Sequence, residues 1–199
     1  AVTGTAGKTS VANFTAQMFK SAGLRAASIG TLGVIVDGQV NYGGLTTPDP
    51  VSLHKTLDRL AREGVNHVAL EASSHGLDQH RLDGVKLTAG AFTNLGRDHM
   101  DYHQTEADYF AAKARLITDL LPKGAPFVVN IDAPWADKAA ELADCADLRV
   151  LRIGEDIRLT ELVVKDGKTG PQQDLTLSFF GEEKNVSLPL PGAFQAENA

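Results

Sequence analysis

The chain opens with Ala1-Val-Thr-Gly-Thr-Ala-Gly-Lys-Thr-Ser10, and Gly7-Lys8-Thr9 is the core of a phosphate-binding loop. Glycines let the backbone turn tightly enough for successive N–H groups to converge on an anion; the lysine then reaches the β- and γ-phosphates, and the hydroxyl ligates Mg²⁺. A helix starting here adds the positive end of its dipole. Val2 stands where the usual spacing has a glycine, and the first glycine is Gly4. The loop is therefore a Thr-Gly-Thr-x-Gly-Lys-Thr variant.

Three further clusters carry chemistry: Gly43-Gly-Leu-Thr-Thr-Pro-Asp49, Glu71-Ala-Ser-Ser-His-Gly76 and Thr93-Asn-Leu-Gly-Arg-Asp-His99. Glu71 ends an apolar run, where many phosphate-loop enzymes keep a Mg²⁺-organising carboxylate; the alternative is a carboxylate satisfied by local N–H groups. Ser73, Ser74, Gln79 and Arg81 follow in what reads as a short polar loop, and an arginine there can grip a phosphate or carboxylate with two N–H groups. Histidines 75, 80, 99 and 103 lie near Asp98 and Asp101. Their spacing matches no closed zinc pattern and no cysteine is near, so His99 beside a Mg²⁺–phosphate site is the better reading. Lys113 shares a helical face with Tyr109, Phe110, Leu116, Ile117 and Leu120. On position alone it is a lysine that snorkels to water. A reactive role would need desolvation, since an ordinary lysine with pKa ~10.4 is rarely neutral.

These clusters need a scaffold. Thr9–Ala22 has helical spacing, with Val11, Phe14, Met18 and Phe19 on one face and Gly23 past its end. Ala26–Ile29 is a strand, Gly33–Asn41 a hairpin about Asp37-Gly38, and Asp49-Pro50 caps a helix ending at Gly64. Strands follow at His67–Glu71 and Leu87–Phe92. Thr105 caps a helix to about Leu121 with Asp108 in the reciprocal position. Then come strand Phe127–Asn130, helix Trp135–Ala143 and strand Arg149–Ile153. The alternation predicts an α/β fold, a mostly parallel sheet of phosphate-loop type flanked by helices. Ligands then sit beyond the carboxyl ends of the strands, where all four clusters can meet. From about residue 157 three strand-like runs (Leu159–Val164, Leu175–Phe180, Val186–Leu190) predict a small appended antiparallel sheet. The expected division is a core over 1–156, the small sheet over 157–191 and the start of a helix over 192–199. Only three residues precede Gly4, fewer than an ordinary strand needs, so the chain is expected to be an excerpt, incomplete at both ends.

Of the 199 residues, 43% are hydrophobic and 22% charged, ordinary for a globular domain, and the net charge of −6 argues against a nucleic-acid duplex as partner. No apolar run is long enough for a membrane span. The lone Cys145 excludes an internal disulfide, suits a reducing cytoplasm and reads as a helix-end packing residue.

The segments Thr3-Gly-Thr-Ala-Gly-Lys-Thr9, Thr46-Thr47-Pro48, Glu71-Ala-Ser-Ser-His-Gly-Leu-Asp-Gln-His-Arg81, Thr93-Asn-Leu-Gly-Arg-Asp-His-Met-Asp-Tyr-His103 and Tyr109-Phe-Ala-Ala-Lys113, in this order, resemble the Mur ligase family. The resemblance covers the whole chain as the central ATP-binding domain of a three-domain enzyme, the UDP-binding and amino-acid-binding domains being absent. It implies ATP-driven addition of the third stem-peptide residue, diaminopimelate or lysine, to UDP-MurNAc-L-Ala-D-Glu. It implies that Gly4, Thr5, Ala6, Gly7, Lys8, Thr9 and Ser10 hold ATP with Asn198 near the adenine, and that Thr46, Thr47, Ser73, Gln79 and Arg81 hold the muramoyl substrate. It further implies two Mg²⁺ ions ligated by Thr9, Glu71, His99 and a CO₂-derived carbamate on Lys113, with Lys8, Lys113, His99 and Glu71 as the catalytic set. Ala6, Leu45 and Gln195 depart from residues frequent in the family. The rival readings are another amide ligase, such as a folylpolyglutamate synthetase, and a phosphate-loop module that ligates nothing.

Overall fold

The structure, a computed structural model, describes residues 1–98, 101–167, 170–190 and 192–198. Its centre is a two-residue strand, β1 (Val2–Thr3), which runs straight into the phosphate loop and then α1 (Lys8–Ser21). On one side β1 pairs in parallel with β6 (Gly90–Phe92), followed outward by parallel β7 (Pro126–Asn130) and β8 (Arg149–Ile153). On the other side lie β5 (His67–Leu70), parallel β2 (Ala26–Gly30), and the antiparallel edge hairpin β3 (Gly33–Val36) and β4 (Gln39–Asn41). A parallel bridge from Val2 to Glu71 and the bond from Ala72 N–H to the Val2 carbonyl (2.8 Å) join the halves. The carboxyl ends of β1, β2, β5 and β6 thus converge, which is where ligands of such sheets bind.

The hairpin turn is built as expected: Asp37 and Gly38 both have positive φ (50° and 82°), the geometry of a two-residue turn that suits strand twist. α2 (Pro50–Arg62) is capped by the Asp49 carboxylate, which accepts from Ser52 N–H. α4 (Glu106–Arg115) carries the reciprocal cap, Thr105 accepting from Asp108 N–H and Asp108 from Thr105 N–H. Its buried face comprises Tyr109, Phe110, Ala112, Lys113 and Ala114. Instead of continuing uniformly to Leu121, the helix widens into a π-helical turn over Leu116–Leu120, closed by Leu121 N–H on the Leu116 carbonyl, and this keeps Leu116 and Ile117 in the core. α5 (Ala136–Cys145) packs its alanines against the sheet.

Several expectations change. On α1 the packed face is Val11, Ala12 and Ala16 against Val2, Ala69 and Ala91, and Met18 is exposed; small residues let this helix lie close to the central strand. The segment after Ser73 is a short helix, α3 (Ser74–Asp78), because the Ser73 hydroxyl accepts from Gly76 N–H. The strand expected from Leu87 begins at Gly90. Cys145 is exposed at the end of α5 rather than packed.

The C-terminal strands β9 (Ile157–Gly167), β10 (Gly170–Phe179) and β11 (Glu182–Leu188) form the expected antiparallel meander. It is continuous with the main sheet through one parallel pair, Ile153 with Ile157. α6 (Ala193–Asn198) returns toward α1. Among the described residues no helix is long and apolar enough to cross a membrane.

Candidate functional site

Gly7 is the N-cap of α1 in the left-handed region (φ 86°), and no side chain caps the helix. The first-turn N–H groups are therefore left to the cleft, as an anion site requires. The loop is tied down from β6: Thr5 N–H donates to the Asn94 carbonyl (2.9 Å), Ala6 N–H to Asn94 Oδ1 (3.0 Å), and the Thr93 hydroxyl to the Ala6 carbonyl (2.6 Å). Gly4 (φ 146°) cannot be replaced, since a Cβ there would lie 1.9 Å from Thr93 Oγ1. A cleft of about 330 Å³ opens here, lined by Thr5 through Ser10 with Thr31, Thr46, Glu71 and Ser73.

Glu71 is 2% exposed at the end of β5. Its carboxylate accepts from the Thr9 hydroxyl (3.0 Å), from Thr31 N–H (2.9 Å) and from the Thr31 hydroxyl (3.3 Å). The two readings of Glu71 thus meet in one group, a carboxylate satisfied locally whose main side-chain partner is the loop threonine. Thr31 was not singled out from the sequence; a hydroxyl residue directly after a strand aimed at the cleft is the signal that could have found it.

Lys8 donates to the carbonyls of Gly4 (3.0 Å) and Thr5 (2.8 Å), and burial lowers its pKa against the opposing pull of Glu71 and Asp98. Lys113 does not snorkel. It is 1% exposed, donates to the same Gly4 carbonyl at 2.8 Å, and sits 4.4 Å from the Tyr109 ring centre. Burial, and then the charge of Lys8, push its pKa down to about 6, with Asp98 opposing. Burial thus moves the residue toward the neutral amine, the form that can attack an electrophile. Tyr109 lies within hydrogen-bond distance of the Thr5 hydroxyl (3.2 Å), so α4 also braces the loop.

The other named residues fall around this centre. The Thr46 and Thr31 hydroxyls lie 3.1 Å apart. Thr47 is fully buried; its hydroxyl donates to the Glu71 carbonyl (2.8 Å) and accepts from Ser73 N–H (2.9 Å), so it holds Ser73 in place from behind. Arg81 donates to the Thr47 carbonyl (2.8 Å) and to Gln79. Asn198 reaches the loop, for a Cβ on Gly7 would lie 2.4 Å from its Oδ1. His99 lies outside the described residues. Among those described, no group of three or more His, Cys, Asp or Glu is placed to hold a metal by itself. Mg²⁺ asks for less, a hydroxyl and one or two carboxylates completed by phosphates and water, and Thr9 with Glu71 meets that.

Fold and site together define a phosphate-binding α/β domain with a carboxylate–hydroxyl pair and a buried lysine of lowered pKa at one loop. Residues 2–199 match the Mur ligase middle domain, and the chain belongs to that family. It is 55% identical over 200 residues to the UDP-N-acetylmuramoyl-L-alanyl-D-glutamate–2,6-diaminopimelate ligase of Chelativorans sp. (strain BNC1), a match covering 100% of this chain and 41% of that protein. A solved structure of a ligase of the same name superposes with a TM-score of 0.87 at 33% identity, covering 99% of this chain and 40% of the other. The chain spans about two fifths of the length of these relatives. A Mycobacterium tuberculosis folylpolyglutamate synthase has the same fold (TM-score 0.76, 18% identity, 99% of this chain and 51% of the other).

Proposed function

We propose that this domain is the ATP-binding centre of a ligase that joins meso-diaminopimelate to UDP-MurNAc-L-Ala-D-Glu. The observation that carries the reading is the convergence of Lys8 and Lys113 on the Gly4 carbonyl beside the Thr9–Glu71 pair. Identity to diaminopimelate ligases along the whole chain supports the choice of substrates. The folylpolyglutamate reading has only the shared fold behind it. Domains that grip the uridine and the amino acid would lie elsewhere in the complete protein, which would work in the cytoplasm.

In this reaction the D-glutamyl carboxylate oxygen attacks the γ-phosphorus, the bond to the β-phosphate oxygen breaks, and acyl phosphate and ADP result. The diaminopimelate amine then attacks the acyl carbon, phosphate leaves with the bonding electrons, and the amine gives up a proton. The loop amides and Lys8, released from the Gly4 and Thr5 carbonyls, would take the phosphate oxygens and offset charge spread over the transferring group. Ser73 and Arg81 would hold the carboxylate in line, a positioning task. Mg²⁺ held by Thr9 and Glu71, with His99 and a Lys113 carbamate as further ligands, would neutralise phosphate charge. The Lys113 amine, whose proton burial makes easier to lose, is suited to that carbamate, formed when its nitrogen adds to CO₂ and loses a proton.

The test is ATP-dependent formation of UDP-MurNAc-tripeptide by the complete gene product, with diaminopimelate and lysine supplied separately. Product with diaminopimelate, with ADP and phosphate released in step, is expected. ATP turnover indifferent to the muramoyl dipeptide would overturn the assignment.

A further inference from the structure

Tyr102 belongs to none of the roles above, yet its hydroxyl sits at a branch point beside the substrate arginine. It donates to Asp78 Oδ2 at 2.6 Å and accepts from Gln79 Nε2 at 3.2 Å. Since a carboxylate can only accept, the phenol proton is committed to Asp78, and the oxygen lone pair faces Gln79. That favours the Gln79 amide's nitrogen toward Tyr102 and its oxygen away from it, the same orientation the Arg81 donors require. Its Oε1 faces Arg81 and accepts from Nε (3.2 Å) and Nη2 (2.5 Å), while Nη1 donates to the Thr47 carbonyl (2.8 Å). Three of the five guanidinium N–H groups are thus engaged, and one remains on each terminal nitrogen for an anionic ligand. With the amide turned over, Nε2 would meet the guanidinium donor to donor. The Tyr102 ring is itself held by His75 (centroids 4.1 Å apart) and His103 (4.8 Å).

We propose that Tyr102, anchored by Asp78, is a positioning residue that sets the orientation of Gln79 and thereby aims Arg81 at an acidic substrate group, a carboxylate or phosphate of the muramoyl peptide. The proposal rests on the function assigned above. Tyr102→Phe keeps the ring packing and removes only the hydroxyl. In the complete gene product it should raise KM for UDP-MurNAc-L-Ala-D-Glu about tenfold, the effect of one lost hydrogen bond to a binding group, with kcat and KM for ATP within about twofold. Asp78→Ala should behave alike. In a Gln79→Ala background Tyr102→Phe should add nothing, because the two act as a unit. An unchanged dipeptide KM in Tyr102→Phe, or effects that multiply in the double variant, would overturn the inference and leave the ligase reading standing. A wild-type protein that does not take the dipeptide would overturn both.

Discussion

Lys113 shows what burial does to one side chain. An ammonium fixed against a backbone carbonyl in an apolar setting loses its hydration, and a second ammonium at the same carbonyl adds repulsion, so the proton is released near pH 6. Two outcomes follow. If the amine carries a carbamate, Lys113→Ala lowers ligase activity about 10²–10³-fold, the scale of removing one preorganised charged group, and acetate or propionate restores part of it. A lysine that merely held Gly4 would give no such rescue. The second outcome concerns stability in CO₂-free buffer. The folded-state pKa lies below the unfolded value of 10.5, so between about pH 6 and 10.5 the unfolded chain holds a proton that the folded one lacks. The resulting destabilisation is full below pH 6 and fades as pH rises to 10.5. Lys113→Met should therefore melt higher than the parent at pH 6–7, and the gap should close by pH 10. A constant gap across that range, followed by thermal unfolding, would contradict the assigned shift.

At the scale of elements, the site depends on how closely β2 approaches the end of β5. A Cβ at Gly30 would lie 1.9 Å from Glu71 Oε1 and 2.6 Å from its Cγ. Glu71 is buried and held by Thr9 and Thr31, so it has little room to yield. Gly30→Ala should drive the carboxylate off Thr9 while leaving the strand pairing intact. The expected result is a Mg²⁺ requirement raised about tenfold, in the range seen when groups that orient metal ligands are lost, read as the Mg²⁺ dependence of turnover at saturating ATP. An unchanged requirement would show that Glu71 does not serve the metal. Gly30 was invisible in the sequence for a physical reason: its constraint comes from a residue 41 positions away, and nothing local marks it. The caps at Asp49 and Thr105 were legible because the side chain and the N–H it satisfies lie within three residues of each other.

For the whole molecule, legibility followed the same rule of distance. Alternating strands and helices placed the carboxyl-end loops together, since a parallel sheet leaves them no other edge. The burial of Lys113 was not legible, because the helix pattern shows a face but not what lies against it; only the docking of α4 on the loop decides between water and the Gly4 carbonyl. The meander was legible from its three strand-like runs, whereas its single-pair join to β8 was not. That join has a mechanical consequence. Strands β6 and β7 carry Phe92, Phe127 and Val129 in the main core, while β11 is exposed along nearly all its length and β10 buries only Gln173 and Leu175. Regions with few buried apolar contacts open at lower free energy than the global transition. Amides of β9 and β11 should therefore exchange with deuterium well before those of β7 at pH 7. A nucleotide seated at Gly7 should slow exchange in α6 through Asn198, leaving the outer hairpin of β10 and β11 unchanged. Protection of β11 equal to that of β7 without nucleotide would instead make meander and core one cooperative unit.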